Sequence, residues 1–282
     1  MVYNIITAIV KLVEGTTLSL DSPQAGHNRA NDMGTALEDY IKDLFSDSFG
    51  LSENERMDKW EEAFSYSGNN SNPPDLMLKG GDAIEVKKIE TKGASLALNS
   101  SYPKHTLKST NPLINTACRE AEEWTEKDII YAVGVVKNKS LKSLCMVYGR
   151  DYCASDEVYS KIRDRIRDSV ISTPGIENEE TKELGHINKV DPLGITYLRV
   201  RGMWGKENPM KEFRYIYTPV DDAKFNFMCI INDAKWESFT NNDELVKLTK
   251  THDNLSIINV KIKNPDNPIK HYNAKLIKFH IV

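Results

Sequence analysis

Apolar residues recur at intervals of three and four in several stretches of the chain, and in short runs or alternation through most of the rest. Residues 3–14 (YNIITAIVKLVE) carry the helical spacing. Residues 33–49 place Met33, Leu37, Ile41, Leu44 and Phe45 on one helical face, with Asn31 or Asp32 as N-cap. Between these two segments, residues 22–32 are polar and read as loop. Residues 62–66 (EAFSY) read as a short strand, and 67–74 (SGNNSNPP) as a run of turn formers. Two strand-like runs, 75–79 and 83–90, flank Gly80-Gly81-Asp82. A glycine pair between strands signals a hairpin, because glycine reaches positive φ at little cost.

A helix is predicted over 111–124, with Asn111 as cap and Pro112 in the first turn. Buried strands follow at 129–136 (IIYAVGVV) and 144–149 (LCMVYG), then a helix over 155–171 whose Val158, Ile162, Ile166 and Val170 share a face. The polar segment 172–194, with Pro174, Gly175, Pro192 and Gly194, reads as a long loop or a boundary. From 195 onward ITYLRVRGMW, FRYIYTPV, FNFMCII, LSIINVKI and AKLIKFHIV are strand-like, with one short helix at 242–249. The predicted order is α, α, β-hairpin, α, β, β, α, then mostly β.

Composition narrows the class. The chain has 282 residues, 40% apolar and 28% charged, as in soluble globular proteins, and a length that fits one large domain or two small ones. No run approaches ~18 apolar residues, the length of a membrane-spanning helix. The N-terminus lacks the basic region and small-residue cleavage site of a secretory signal. The four cysteines form no CxxC pair, so a zinc ribbon or disulfide framework is poorly supported and a reducing cytoplasm fits better. A net charge of -4 argues against a purely electrostatic nucleic-acid binder. The charge is uneven, however. Residues 32–62 hold ten acids against Lys42, Arg56 and Lys59, whereas 195–214 hold five bases against two acids and 261–282 five lysines against Asp266. Uneven charge is common on solvated faces; it also suits a phosphate groove beside metal-binding carboxylates.

The most informative stretch is PPDLMLKGGDAIEVKKIE. Its reactive groups, Asp75 after Pro74 and then Glu85-Val86-Lys87, match the PD…(D/E)xK pattern of metal-dependent nucleases. The bare string is weak: the chain holds two Pro-Asp pairs and five (D/E)xK matches, at 85–87, 90–92, 180–182, 222–224 and 233–235. Strand context strengthens it. Side chains alternate along a strand, so Glu85 and Lys87 share a face with Ala83 and Ile89, while Ile84 and Val86 point to a core. The glycine turn folds Asp75 back beside them. Charges at such a place are costly unless paired or holding a metal. Phosphodiester hydrolysis calls for a cation that neutralises phosphoryl oxygens and acidifies water. Mg²⁺ takes oxygen ligands and keeps several waters, so Asp75, Glu85 and the Val86 carbonyl suffice. Lys87 would hold the attacking water and offset transition-state charge. The alternative is a surface ion pair of Glu85 with Lys87. Glu38, at the border of the apolar face of 33–49, is either an acid assisting Lys87 or a second metal, or an ordinary helix acid; Asp39 looks more solvent-facing. No HExxH, GxSxG or GxxxxGK[ST] string offers a competing chemistry.

The run NNSNPPDLMLKGGDAIEVKKIE, followed by SLALNSSYPKHTL, NPLINTACREAEEW, DIIYAVGVV and VYGRDYCAS, resembles the NgoPII family of type II restriction endonucleases. The likeness implies an α/β fold with a restriction-endonuclease-like mixed β-sheet core (αβββαβ) flanked by helices, and a strand-rich C-terminal part. The predicted elements follow that order from the 33–49 helix to the 129–136 strand. It implies one domain over 1–282, with a catalytic core at about 31–170 and a DNA-recognition part at about 195–282. It also implies Mg²⁺-dependent cleavage of double-stranded DNA at the palindrome GGCC, leaving 5′-phosphate ends, in a restriction-modification system with a cognate DNA methyltransferase. Asp75, Glu85 and Lys87 carry over as catalytic positions, and Glu38 more loosely.

A palindromic site suggests a homodimer. Guanine is most often read by Arg or Lys, which makes Arg199, Arg201, Lys206 and Arg214, with Trp204 among them, candidates for base or phosphate contact. Asn99, Ser100, Ser101, Tyr102 and Lys104 directly follow the catalytic strand and suit the DNA backbone or groove. Asn28 and Arg29, in the loop before the Glu38 helix, are further candidates. Two other readings remain open: a non-cleaving DNA-binding protein, and a structure-specific repair nuclease of the same fold.

Overall fold

The computed structural model describes residues 2–15, 17–20, 29–69, 72–179, 181 and 183–282, with backbone only at 29–32 and 69. Three helices lead: α1 (Ile5–Gly15), α2 (Arg29–Ser46) and α3 (Glu53–Ala63). α3 was not anticipated, because its sequence ENERMDKWEEA has little apolar periodicity. Its start was nonetheless legible as a capping box, Ser52-x-x-Glu55, in which the Ser52 N–H donates to Glu55 Oε2 (3.0 Å). The strands β1 (Phe64–Asn69), β2 (Asn72–Leu78) and β3 (Ala83–Ile89) follow. β2 therefore starts inside the stretch expected to be turn. The predicted hairpin is present: β2 and β3 pair antiparallel with Leu76 opposite Ile84, and Gly80 turns the chain at φ +62°.

The short strands β4 (Leu96–Ala97) and β5 (Thr106–Lys108) precede α4 (Thr116–Glu120). The helix predicted over 111–124 is thus reduced to little more than one turn, capped by Asn115, whose side chain accepts from the Cys118 N–H (2.7 Å), rather than by Asn111. β6 (Glu126–Lys137), β7 (Ser140–Tyr148), α5 (Gly149–Tyr152) and α6 (Asp156–Ile171) come next. The expected loop 172–194 contains β8 (Glu177–Asn178) and β9 (Gly185–Asn188), which form a small antiparallel sheet with β10 (Leu198–Val200). β11 (Gly205–Lys206) and α7 (Pro209–Glu212) lead to the turn expected to be the strand FRYIYTPV. Phe213 and Tyr217 are both buried, and the Tyr217 N–H donates to the Phe213 carbonyl, so the apolar spacing there is that of a helical turn. The chain ends in β12 (Phe225–Asn232), α8 (Asp233–Ser238), α9 (Asn242–Leu248), β13 (Leu255–Asn264) and β14 (Asn267–Ile281).

The main sheet runs β1-β2-β3-β6-β7-β12-β14-β13, with β5 on the start of β6. β3 and β6 are parallel, as are β7 and β12; the other neighbours are antiparallel. The stretch 225–281 therefore adds strands to the sheet that carries Asp75 and Glu85. On one side, Ile84, Val86, Ile130 and Ala132 pack against α1 and α2 through Ile9, Leu37 and Ile41. A Cβ at Gly134 of β6 would lie 2.8 Å from the Leu37 side chain, so the bare glycine is what lets α2 settle on the sheet. On the other side, Ala83, Ile89, Tyr131 and Val133 pack with Leu96, Leu107, Tyr152 and Phe213. Among the described residues no helix is long and apolar enough to cross a bilayer.

Candidate active site

The hairpin does what alternation predicted. Ile84 and Val86 enter the core beneath α2, and Glu85 and Lys87 emerge on the opposite face. Asp75, on β2, is drawn to them by a backbone contact: the Val86 N–H donates to Asp75 Oδ2 at 2.6 Å. Lys87 Nζ lies 2.6 Å from Glu85 Oε1 and 3.7 Å from Asp75 Oδ2. All three side chains are largely buried.

Burial and the neighbouring Glu85 push the Asp75 acid well above the ordinary carboxylate range; Lys87 and the Val86 N–H oppose the rise, and Glu38 adds to it. Burial alone would lower the Lys87 ammonium, but the Glu85 and Asp75 carboxylates outweigh it and hold the pKa above that of a free lysine. Glu38, on α2, is also raised by burial, against the pull of Lys42 and Lys87. Asp39, expected to face solvent, is mostly buried and ion-paired with Lys42 (3.1 Å). The site is short of positive charge, and Glu85 Oε2 is buried with no hydrogen-bond partner. Among the described residues no three His, Cys, Asp or Glu side chains converge as a metal cluster. The donor set is therefore two carboxylates beside the Val86 peptide, all oxygen, with one oxygen unused, and it fits a hard cation that keeps much of its own water.

The candidate DNA-contacting residues are distributed unevenly. The exit from β3 and the 204–206 segment, far apart in sequence, are joined by β4 pairing with β11, with Leu96 opposite Lys206. The Leu98 N–H donates to the Trp204 carbonyl and the Trp204 N–H to the Asn99 carbonyl, both at 2.8 Å. Asn99 and Ser100 are exposed and Ser101 is half-buried, while Lys206 Nζ lies 4.0 Å from the Tyr152 ring centroid. Tyr102 and Lys104 depart from expectation: both are buried, Lys104 to 2% exposure. The Lys104 ammonium donates to the Tyr102 carbonyl (3.0 Å) and lies 3.4 Å from the Tyr102 ring centroid; burial lowers its pKa to about 8. Core packing claims both side chains. Arg199 and Arg201 converge on one carboxylate, Glu183, at 2.5 and 2.6 Å. Arg214 is exposed. Arg29 opens α2, and Asn28 lies outside the described residues.

Sequence reasoning missed Tyr131. It stands beside Glu85 in the β3–β6 register, fully buried, and its hydroxyl accepts from the Lys104 N–H (2.7 Å), fixing the segment that leaves the site. A lone tyrosine in the apolar run IIYAVGVV was the available signal, since a buried phenol needs a polar partner.

No solved structure matches the chain. The family model for NgoPII restriction endonuclease matches residues 3–263. A curated relative, type II restriction enzyme NgoPII of Neisseria gonorrhoeae, is 54% identical over 279 residues, covering 99% of this chain and 100% of that protein. With the αβββαβ order and the hairpin geometry, these matches mean that the chain belongs to the NgoPII restriction endonuclease family.

Proposed function

We propose that this type II restriction endonuclease hydrolyses both strands of duplex DNA at GGCC, leaves 5′-phosphate ends, and does so as a Mg²⁺-dependent homodimer. The observation that carries the reading is the meeting of Asp75, Glu85 and Lys87 at one buried place with Glu85 Oε2 unpartnered. Asp75, Glu85 and the Val86 carbonyl would hold Mg²⁺, which when bound supplies positive charge to the phosphoryl oxygens and acidifies water. Lys87 orients the attacking water by hydrogen bonding and offsets charge developing on the phosphate. Glu38 holds Lys87 protonated and aimed from the helix side. Asn99, Ser100 and Ser101, with Trp204 and Lys206 across the β4–β11 pair, lie against the DNA near the cut; Arg199, Arg201 and Arg214 contact phosphates or guanines, with Glu183 holding the first two until DNA arrives. The chain acts as one endonuclease domain in the cytoplasm, beside a methyltransferase that protects the same word in host DNA.

Digestion of a plasmid with Mg²⁺, followed by sequencing of the ends, tests this. Discrete fragments that share one end sequence, are ligatable, and vanish when GGCC is methylated support the reading. A smear, or cutting confined to branched DNA, favours a repair nuclease. Tight binding without metal-dependent cutting overturns the enzyme assignment.

A further inference from the structure

Helix α6 is sixteen residues long and buries none of them. Its stripe Val158, Ile162 and Ile166, of the kind that a surface helix normally turns to the core, is 49, 48 and 45% exposed. The helix is held near its two ends. Tyr159 packs against Tyr102 and Trp204 (ring centroids 6.0 and 5.9 Å), and a Cβ at Gly185 of β9 would lie 2.6 Å from Val170. Val200, opposite Gly185, shares that face of the small sheet, and so does Leu198 two residues before it. Leu198, Leu193 and Ile195 are 51, 80 and 77% exposed, so the β9–β10 hairpin on which α6 rests adds exposed apolar surface of its own.

We infer that this face is where two copies of the chain meet, an inference that rests on the two-subunit reading above. The six side chains expose on the order of 600 Å², the upper end of what a lone monomer shows. That is also about the apolar share of the ~800 Å² each partner gives to a stable interface. Charge selects the occupant. From Asp156 to Asp168 the helix carries four acids and four bases. A surface meeting phosphates needs an excess of positive charge, whereas a two-fold contact sets a surface against itself and favours both signs.

Sedimentation velocity over a concentration series, on the full chain and on Ile162→Asp/Ile166→Asp, tests the inference. The wild type sediments as a dimer, and the variant, with an unchanged far-ultraviolet spectrum, has its dissociation constant raised about 100-fold or more. Ile269→Asp, on β14 at 90% exposure, stays dimeric. Ile162→Cys provides a readout should the double variant misfold. The four native cysteines are buried, so a short bismaleimide links two chains only through the new thiol. A wild-type dimer that the double variant keeps, or an Ile162→Cys protein that does not cross-link, overturns the surface and leaves the two-subunit reading standing. A monomeric wild type overturns both. Loss of duplex binding with an unchanged oligomer assigns the face to DNA and overturns the proposal.

Discussion

Two clusters of two acids and a lysine lie along β3, one where the chain enters it beside β6 and one at its middle beside β2, and only the second is unfinished. At the start of β6, Lys235 reaches Asp82 (2.6 Å) and Asp128 (2.9 Å); Asp82 also accepts from the Tyr148 hydroxyl (2.8 Å), and Asp128 from Arg150 (2.6 Å). Further along β3, Lys87 reaches Glu85 and Asp75, and Glu85 Oε2 is left with nothing. Lys235 ends a (D/E)xK match of its own, Asp233-Ala-Lys235, but on helix α8. Two positions apart on a helix do not share a face, so Asp233 turns to Lys275 (3.4 Å) while Lys235 turns to the sheet. The difference teaches that composition marks neither cluster as a site. What separates them is the strand parity that aligns an acid with its lysine, and a buried oxygen without a partner.

The sharpest way to break this comparison is to remove each lysine. Lys87→Ala is expected to lower the cleavage rate of the folded enzyme by about 10³-fold or more, the scale of losing a preorganised transition-state donor. Lys235→Met is expected to leave that rate alone and to cost stability only. It strips the cation from two buried acids and costs about 3 kcal/mol, the low end for a broken buried pair because Tyr148 and Arg150 remain, while the folded fraction cuts at the wild-type rate. Plasmid cleavage and urea unfolding on the same preparations measure both. Full activity in Lys87→Ala would sink the assignment of the site.

How much of this was legible follows from the range of the interactions. The Asp75–Glu85–Lys87 hairpin was readable because alternation and a two-glycine turn are local. The pairing of Leu96 with Lys206 was not: nothing in either segment names its partner across 110 positions. Lys104 reads as an exposed basic residue and is one of the most buried side chains among the described residues, because Tyr131, from a distant strand, fixes its backbone inside the fold, where its ammonium turns back onto Tyr102. The α6 stripe reads as an ordinary core face; only the fold reveals that the core lies elsewhere.

Another buried acid sharpens the contrast by having neutral donors only. Asp151 accepts from the Asn232 N–H (3.2 Å), the Asn232 amide (2.9 Å) and the Tyr272 hydroxyl (3.0 Å). Burial outweighs these bonds and raises its pKa to about 6, from 3.8. The folded state therefore binds the proton more tightly than the unfolded chain. Its contribution is fully present below the unfolded value and is lost as pH rises through the folded one. Between pH ~4 and ~6 the wild type should lose on the order of 2 kcal/mol more stability than Asp151→Asn. Urea midpoints of both proteins across that window measure the difference, and parallel curves would refute it.

The smallest expected effect compares two acids on one helix. Asp43 of α2 is enclosed by the fold: its Oδ1 accepts from Arg56 (2.7 Å), Trp60 (2.9 Å) and Ser48 (2.7 Å). Glu38, less than two turns earlier, is half-buried within electrostatic reach of Lys42, Lys87 and Glu85, and burial raises its pKa. An acid that supports a reacting group from behind, without ligating the cation, typically changes activity by about 10-fold to 100-fold when removed. Glu38→Gln is assigned the lower figure, because the amide keeps the shape and loses only the charge that favours protonated Lys87. Asp43→Asn should lower stability, through the loss of a charged acceptor for Arg56, and leave the rate of the folded enzyme alone. The two variants are separated by single-turnover cleavage at saturating Mg²⁺ beside a thermal melt. If Glu38→Gln melts early and cuts at full rate, Glu38 belongs with Asp43 as a packing acid, and the catalytic set contracts to Asp75, Glu85 and Lys87.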